Sequence, residues 1–182
     1  NIINMKLIIL DIDGVMTDGK KFYTGDGNIL CKQYNDKDFT AIKRFLALNI
    51  NICFLSGDNW NKTMADNRNI NFYSGRINNG KMSKSEIFNK ILEDYTLKND
   101  EVIYVGDDIF DIEVLKIVKE GFCPNDSPSD VKKVSTVINK NGGDGVVAAL
   151  FEILLERKVI VSPDINIVRN IDSKELTSNK ML

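Results

Sequence analysis

The stretch Leu7-Ile8-Ile9-Leu10-Asp11-Ile12-Asp13-Gly14-Val15-Met16-Thr17-Asp18-Gly19 decides the fold. Four consecutive apolar residues without polar alternation read as a strand buried on both faces, and such strands belong to parallel sheets covered by helices. Where the apolar run stops, Asp11, Asp13 and Asp18 follow in quick succession. In a parallel α/β sheet the ligand site lies outside the carboxyl ends of the strands, so this strand delivers Asp11 and Asp13 into it. Two carboxylates about 4 Å apart repel by roughly 4 kcal/mol at an effective dielectric near 20, so either one is protonated or a cation bridges them. A hard metal with oxygen ligands, most simply Mg²⁺, answers that need.

Outward from this strand the chain alternates. Lys20 to Asn35 places two short apolar-aromatic runs around Thr24-Gly25-Asp26-Gly27-Asn28, which predicts a β-hairpin over about 20–35. A two-stranded hairpin is marginal alone, so this one needs something to pack on. Phe39, Ile42, Leu46 and Ile50 give a helix from Asp36, and Ile50 to Leu55 a second buried strand ending at Ser56-Gly57-Asp58. A short helix over Asn61 to Arg68, a strand at Asn71 to Tyr73 and a loop containing Gly75 and Gly80 come next. Ser83-Lys84-Ser85-Glu86 is a capping box that opens a helix carrying Ile87, Phe88, Ile91, Leu92 and Tyr95. Glu101 to Val105 is a strand that ends in Gly106-Asp107-Asp108-Ile109-Phe110-Asp111, with a helix behind it. A strand near Phe122, a helix over Ser129 to Val134, a strand at Thr136 to Ile138 and a helix over Asp144 to Arg157 complete the rhythm. Strands alternating with helices mean a doubly wound, Rossmann-like α/β domain over 1–158, with a mostly parallel sheet and helices on both faces. Residues 159–182 are polar and aperiodic, with Pro163 near their start, and read as an extended or flexible tail.

Composition narrows the function. A net charge of −2 with no basic run argues against a nucleic-acid surface. No apolar stretch approaches the ~18 residues of a membrane span and no signal-peptide pattern opens the chain, so the expectation is a cytoplasmic protein without a membrane partner. Cys31, Cys53 and Cys123 are widely separated and read as buried reduced thiols. The 182 residues contain no histidine, which excludes His-based triads, bases and metal ligands and leaves carboxylates, hydroxyls and lysine for chemistry.

Three strand ends then converge on one rim: Asp11 and Asp13; Ser56 with the Gly57 amide; and Asp107 with Asp108 and Asp111. Lys84, on the first turn of its helix, adds a cation beside free amides, with Lys81 as a competing neighbour. A dianionic phosphate needs positive charge, a metal needs oxygens, and attack on phosphorus needs an in-line carboxylate, so this set suits metal-assisted phosphoryl transfer. A single Asp-Gly pair is ordinary turn chemistry. The whole string Asp-x-Asp-Gly-Val-x-Thr-Asp after a buried strand, followed in order by Ser56-Gly57, Lys84 and Gly-Asp-Asp-x-x-Asp, resembles the motif series of the haloacid dehalogenase superfamily.

That resemblance implies that Asp11 attacks phosphorus to form an aspartyl-phosphate, and that Asp13 protonates the leaving alkoxide and later activates water. It implies Mg²⁺ on Asp11, the main-chain carbonyl of Asp13 and Asp107. Ser56, Gly57 and Lys84 would hold the phosphate, and Asp108 or Asp111 would order metal water or Lys84. Only a hairpin fits before the first long helix, and 61–83 is too short for a domain, so the chain looks like the capless subclass. Over Lys6 to about Arg157 it is similar to the phosphatases of 3-deoxy-D-manno-octulosonate 8-phosphate and of sialic-acid-type 9-phosphates, which implies a sugar-acid phosphate as substrate. It also implies a homotetramer in which hairpins pair and a neighbour closes each site. Asp58 and Asp144 stand where the octulosonate enzymes usually carry arginine, so eight-carbon and nine-carbon substrates rank nearly equal. Two rival readings remain: a non-catalytic tetramerisation module, which has no need of Asp11, and a receiver domain, whose lysine follows its later strands whereas Lys84 precedes the Gly-Asp-Asp loop.

Overall fold

The computed structural model describes residues 4–77 and 80–178. In chain order it contains β1 (Leu7–Leu10), β2 (Phe22–Tyr23), β3 (Ile29–Cys31), α1 (Asp36–Ala47), β4 (Asn51–Ser56), α2 (Lys62–Asn67), β5 (Asn71–Ser74), β6 (Arg76–Ile77), β7 (Gly80–Lys81) and α3 (Lys84–Tyr95). Then come β8 (Val102–Val105), α4 (Ile112–Ile117), β9 (Glu120–Pro124), α5 (Ser129–Lys132), β10 (Thr136–Ile138), α6 (Val146–Glu156) and α7 (Ile165–Ser178). The main sheet has six strands in the order β10-β9-β8-β1-β4-β5, and every pairing in it is parallel. This is the doubly wound α/β architecture expected from the alternation of strands and helices.

β1 is central because its residues are apolar on both faces. Ile8 and Leu10 face a core built with Phe39 and Phe45 of α1 and Phe151 of α6, while Leu7 and Ile9 face the opposite core with Phe88 of α3 and Val114 of α4. All four β1 side chains are fully buried. With period-2 alternation, each half of Leu-Ile-Ile-Leu thus supplies one of the two helix layers. Deleting one such side chain to alanine typically costs about 2–5 kcal/mol.

The hairpin of β2 and β3 leaves the body with Phe22, Tyr23 and Leu30 each about 60% exposed. Cys31 departs from the expectation of a buried thiol: it is exposed, whereas Cys53 and Cys123 are buried. The hairpin stands away from the core, so Leu30 and Cys31 are both exposed, and the chain turns inward only at Lys32, directly after β3. The segment read as a glycine loop instead contains a small antiparallel ladder, with Arg76 paired to Lys81 and Ile77 to Gly80. Residues 78 and 79 of that loop lie outside the described residues.

The tail also differs. Where an extended segment was expected, 165–178 form α7, which packs along α1. Lys43 of α1 bonds Asp172 at 2.6 Å and Glu175 at 3.2 Å, and Val168 is buried. Ion pairing and one buried valine hold this helix, and neither leaves an apolar periodicity in the sequence.

Candidate active site

The carboxyl ends of β1, β4 and β8 open into one cleft of about 840 Å³, lined among others by Asp11, Asp13, Ser56, Gly57, Asp58, Lys84 and Asp107. At the end of β1 the Asp11 carboxylate is held on two sides, by the Ile12 amide at 2.7 Å and by the Lys84 ammonium at 2.7 Å. Lys84 reaches it because the capping box at Ser83 and Glu86 fixes the first turn of α3 beside β1. The same ammonium bonds Asp111 at 2.5 Å. Asp111 is fully buried and accepts further bonds from the Tyr104 hydroxyl and from the amides of Asp107 and Asp108. Its lone pairs are therefore largely used, and Asp111, rather than Asp108, is the acid that fixes Lys84. Asp108 accepts from the Ile109 amide and caps the short turn between β8 and α4.

Oxygens of Asp11, Asp107 and Asp111 lie within 4.8 Å of one another. Burial pushes the Asp11 carboxyl well up, against the pull of Lys84 and with Asp111 adding to the rise. Burial also raises Asp107, with Asp11 and Asp111 as the further causes. Burial opposes the charge on Lys84, but Asp11 and Asp111 more than offset it and hold the amine protonated. Three carboxylates against one ammonium leave excess negative charge where a phosphate dianion would approach. No donor among the described residues reaches the Asp107 carboxylate. The cluster therefore fits a hard divalent cation on Asp11 and Asp107, with Asp111 behind them. Gly14 makes room for this arrangement: at φ 85° it turns under β1, and a Cβ there would stand 1.8 Å from Asp107 Oδ2.

The side chain of Asp13 belongs to a second network. Lys32 Nζ bonds both of its oxygens, at 2.7 and 2.9 Å, as well as Asp58 Oδ2 at 2.9 Å and Asn61 Oδ1 at 3.0 Å. Asn61 in turn donates to Asp13 Oδ2 at 3.0 Å and to Ser56 Oγ at 3.1 Å. Lys21 closes the network on Asp58 at 3.0 Å. Burial alone would raise the Asp58 carboxyl, but hydrogen bonds from Lys32, the Trp60 amide and Lys21 bring it down to about 2. Asp58 is thus a fixed anion neutralised by two lysines, not a loose charge in the cleft. Asp144 is exposed and does not line the cleft, and Lys81 lines it without making Lys84's contacts.

Residues 30–150 match the haloacid dehalogenase-like hydrolase family. The chain belongs to this family. Among haloacid dehalogenase-like hydrolases it is 29% identical over 153 residues to the 3-deoxy-D-manno-octulosonate 8-phosphate phosphatase of Salmonella typhi, covering 84% of this chain and 80% of the relative. The crystal structure of the Yersinia pestis phosphatase of that name superposes with a TM-score of 0.75 at 26% identity, covering 85% of this chain and 82% of that one. The cobalt-bound deoxy-D-mannose-octulosonate 8-phosphate phosphatase of Haemophilus influenzae gives 0.76 at 25% identity, covering 85% and 90%. This family member is an enzyme, a phosphatase, and the Haemophilus influenzae relative binds cobalt.

The residues singled out from sequence thus divide between two lysine-centred networks in one cleft: Asp11, Lys84, Asp107 and Asp111 in the first, Asp13 and Ser56 in the second. Lys32, Asn61 and Lys21 were missed. Lys32 directly follows β3, and with Cys31 read as buried the sequence held no signal that Lys32 turns inward.

Proposed function

We propose that the chain is a Mg²⁺-dependent phosphomonoesterase acting on a sugar-acid phosphate, with 3-deoxy-D-manno-octulosonate 8-phosphate as the first reading and a nonulosonate 9-phosphate as the second. The observation that carries it is the Asp11 carboxylate: set at the end of β1, pinned by Lys84 and the Ile12 amide, and backed by Asp107 in a cluster with three carboxylates to one ammonium. The eight-carbon substrate is preferred because the relatives at this level of similarity act on it. The neutralised Asp58 does not repel a sugar carboxylate, which both substrates carry, so it leaves the nine-carbon substrate as the second reading.

Asp11 attacks phosphorus, the bond from phosphorus to the sugar oxygen breaks, and the leaving oxygen takes a proton from Asp13. Asp13 then takes a proton from the water that hydrolyses the aspartyl-phosphate, which restores both acids. Ser56, the Gly57 amide and Lys84 hold phosphate oxygens through this cycle. Asp11 and Asp107 would hold a divalent cation, which when bound would neutralise charge on the transferring group.

Exposed Phe22, Tyr23 and Leu30 on the hairpin support assembly as a homotetramer. A cytoplasmic location belongs to the same reading; no helix among the described residues is long and apolar enough to cross a membrane. The test is phosphate release with Mg²⁺ from octulosonate 8-phosphate, two nonulosonate 9-phosphates, hexose phosphates and p-nitrophenyl phosphate, with chelator and Asp11→Asn controls. Preference for one sugar-acid phosphate is expected, with a loss on the order of 10³-fold or more in the variant, a magnitude usual when a nucleophile is removed. Absence of turnover on every substrate would favour a non-catalytic assembly module.

A further inference from the structure

The Lys32 side chain is completely buried, and its ammonium has four oxygen contacts within 3.0 Å, two of them to Asp13. A buried lysine is costly unless fully paired, and replacing such an ion pair with apolar residues is often neutral or stabilising, so stability alone gives weak grounds for it. Its position offers a better reason. The carboxylates of Asp11, Asp107 and Asp111 gather on Lys84, whereas the side chain of Asp13, two residues from Asp11 on the same loop, is drawn to the other side by Lys32 and Asn61. Asn61 bonds Asp13 and Ser56 at once, so the acid is tied to the hydroxyl assigned to phosphate binding. The Tyr34 hydroxyl donates to Asn61 at 2.9 Å, and the Lys32 ammonium lies 5.3 Å from the centre of the Trp60 ring. Every partner is thereby held, while a quarter of the Asp13 side chain stays open to the cleft.

We propose that Lys32 is a positioning residue that, together with Asn61, holds the Asp13 carboxyl on the Ser56 side of the cleft and aims it at the leaving oxygen, apart from the metal-binding carboxylates. The inference rests on the reading of Asp13 as the group that protonates the leaving oxygen. It also gives the hairpin a function within its own subunit, because residue 32, next after β3, brings the lysine in.

A group that acts only through Asp13 must matter in proportion to how much the leaving oxygen needs a proton. The sugar alkoxide of octulosonate 8-phosphate needs one; p-nitrophenolate, a far weaker base, does not. The experiment measures kcat/KM, which reports the steps through departure of the leaving group, for wild type, Lys32→Met, Asp13→Asn and the double variant on both substrates at saturating Mg²⁺. Lys32→Met is expected to lose about 10²-fold on the sugar-acid phosphate, within the range for general acid catalysis, and less than about 5-fold on p-nitrophenyl phosphate. The double variant should be no worse than Asp13→Asn, because the two residues act as one unit. Equal losses on both substrates would reduce Lys32 to a structural part, and an unchanged enzyme would remove it from the site; either result overturns the proposal. If Asp13→Asn itself loses equally on both substrates, the reading of Asp13 fails and the proposal falls with it; a selective Asp13→Asn beside a non-selective Lys32→Met sinks the proposal alone. Should Lys32→Met fail to fold, Lys32→Met/Asp58→Asn, which removes one of the two carboxylates that lose the Lys32 ammonium, repeats the comparison against Asp58→Asn.

Discussion

Asp107 shows how a single residue carries the site's electrostatics. Its carboxyl is raised by burial and by Asp11 and Asp111, and a bound cation removes that penalty. Asp107→Asn is therefore expected to weaken Mg²⁺ binding by about 10-fold or more, read as the half-saturating Mg²⁺ concentration for turnover, while the thermal midpoint without metal is unchanged or higher because a buried like charge is gone. An unchanged Mg²⁺ requirement would take Asp107 out of the metal site. At this scale the sequence was legible wherever a residue sits at a strand end or in a capping box: Asp11, Ser56 and Lys84 could be placed because period and cap position them. Lys32 and Asn61 could not, since whether a polar side chain in a short strand or a polar turn faces inward depends on tertiary packing alone.

Among the elements, α6 is tied to α1 by a buried acid. Asp38 of α1 is fully buried and accepts from the Ala148 amide at 3.0 Å in the first turn of α6, while its Oδ2 has no partner. Burial raises its carboxyl to about 6, against the opposing pull of the Ala148 and Val147 amides. The folded state thus holds a proton that the unfolded chain releases near its ordinary pKa of 3.8, so this group's contribution falls as pH rises from about 4 to about 6 and stays low above that. Asp38→Asn keeps the cap without the charge. Its thermal midpoint should exceed that of wild type by several degrees at pH 8 and match it near pH 4, as a cost on the order of 2–3 kcal/mol implies for a chain of this size; equal midpoints at pH 8 would count against the buried charge. The late glycines have a different role. A Cβ at Gly142 would come within 2.1 Å of the Gly14 carbonyl oxygen, so Gly142→Ala must displace the loop that carries Asp13, and a loss of about 1–3 kcal/mol with reduced turnover is expected from thermal melts and phosphate release. The alternation of buried strands and amphipathic helices was readable because β1, β4 and β8 are apolar runs. α7 was not, because one buried valine and ion pairs from Lys43 hold it where an apolar stripe would otherwise be.

As a whole, the molecule places a hydrolytic cleft at the carboxyl ends of the central strands of a parallel sheet and leaves an apolar hairpin standing beside it. The hairpin strands present Phe22, Tyr23 and Leu30 to the outside, while Lys32 just beyond them turns inward to Asp13, so the proposed assembly face and the proposed positioning residue belong to one small element. On the proposed homotetramer, wild type should give a tetrameric mass by light scattering and Phe22→Ser/Leu30→Ser smaller species; a monomeric wild type would remove the tetramer, and an unchanged mass in the variant would move the interface elsewhere. The architecture followed from the order of strands and motifs, whereas the division of acids between two lysines emerged only from the folded chain. The most direct test of the central claim is chemical trapping of the phosphoryl group: ³²P-labelled substrate is mixed with enzyme and Mg²⁺, quenched in acid within milliseconds, and the labelled peptide sequenced. The account requires a hydroxylamine-labile phosphate on Asp11, absent in Asp11→Asn; turnover with no label, or label on another residue, would contradict it.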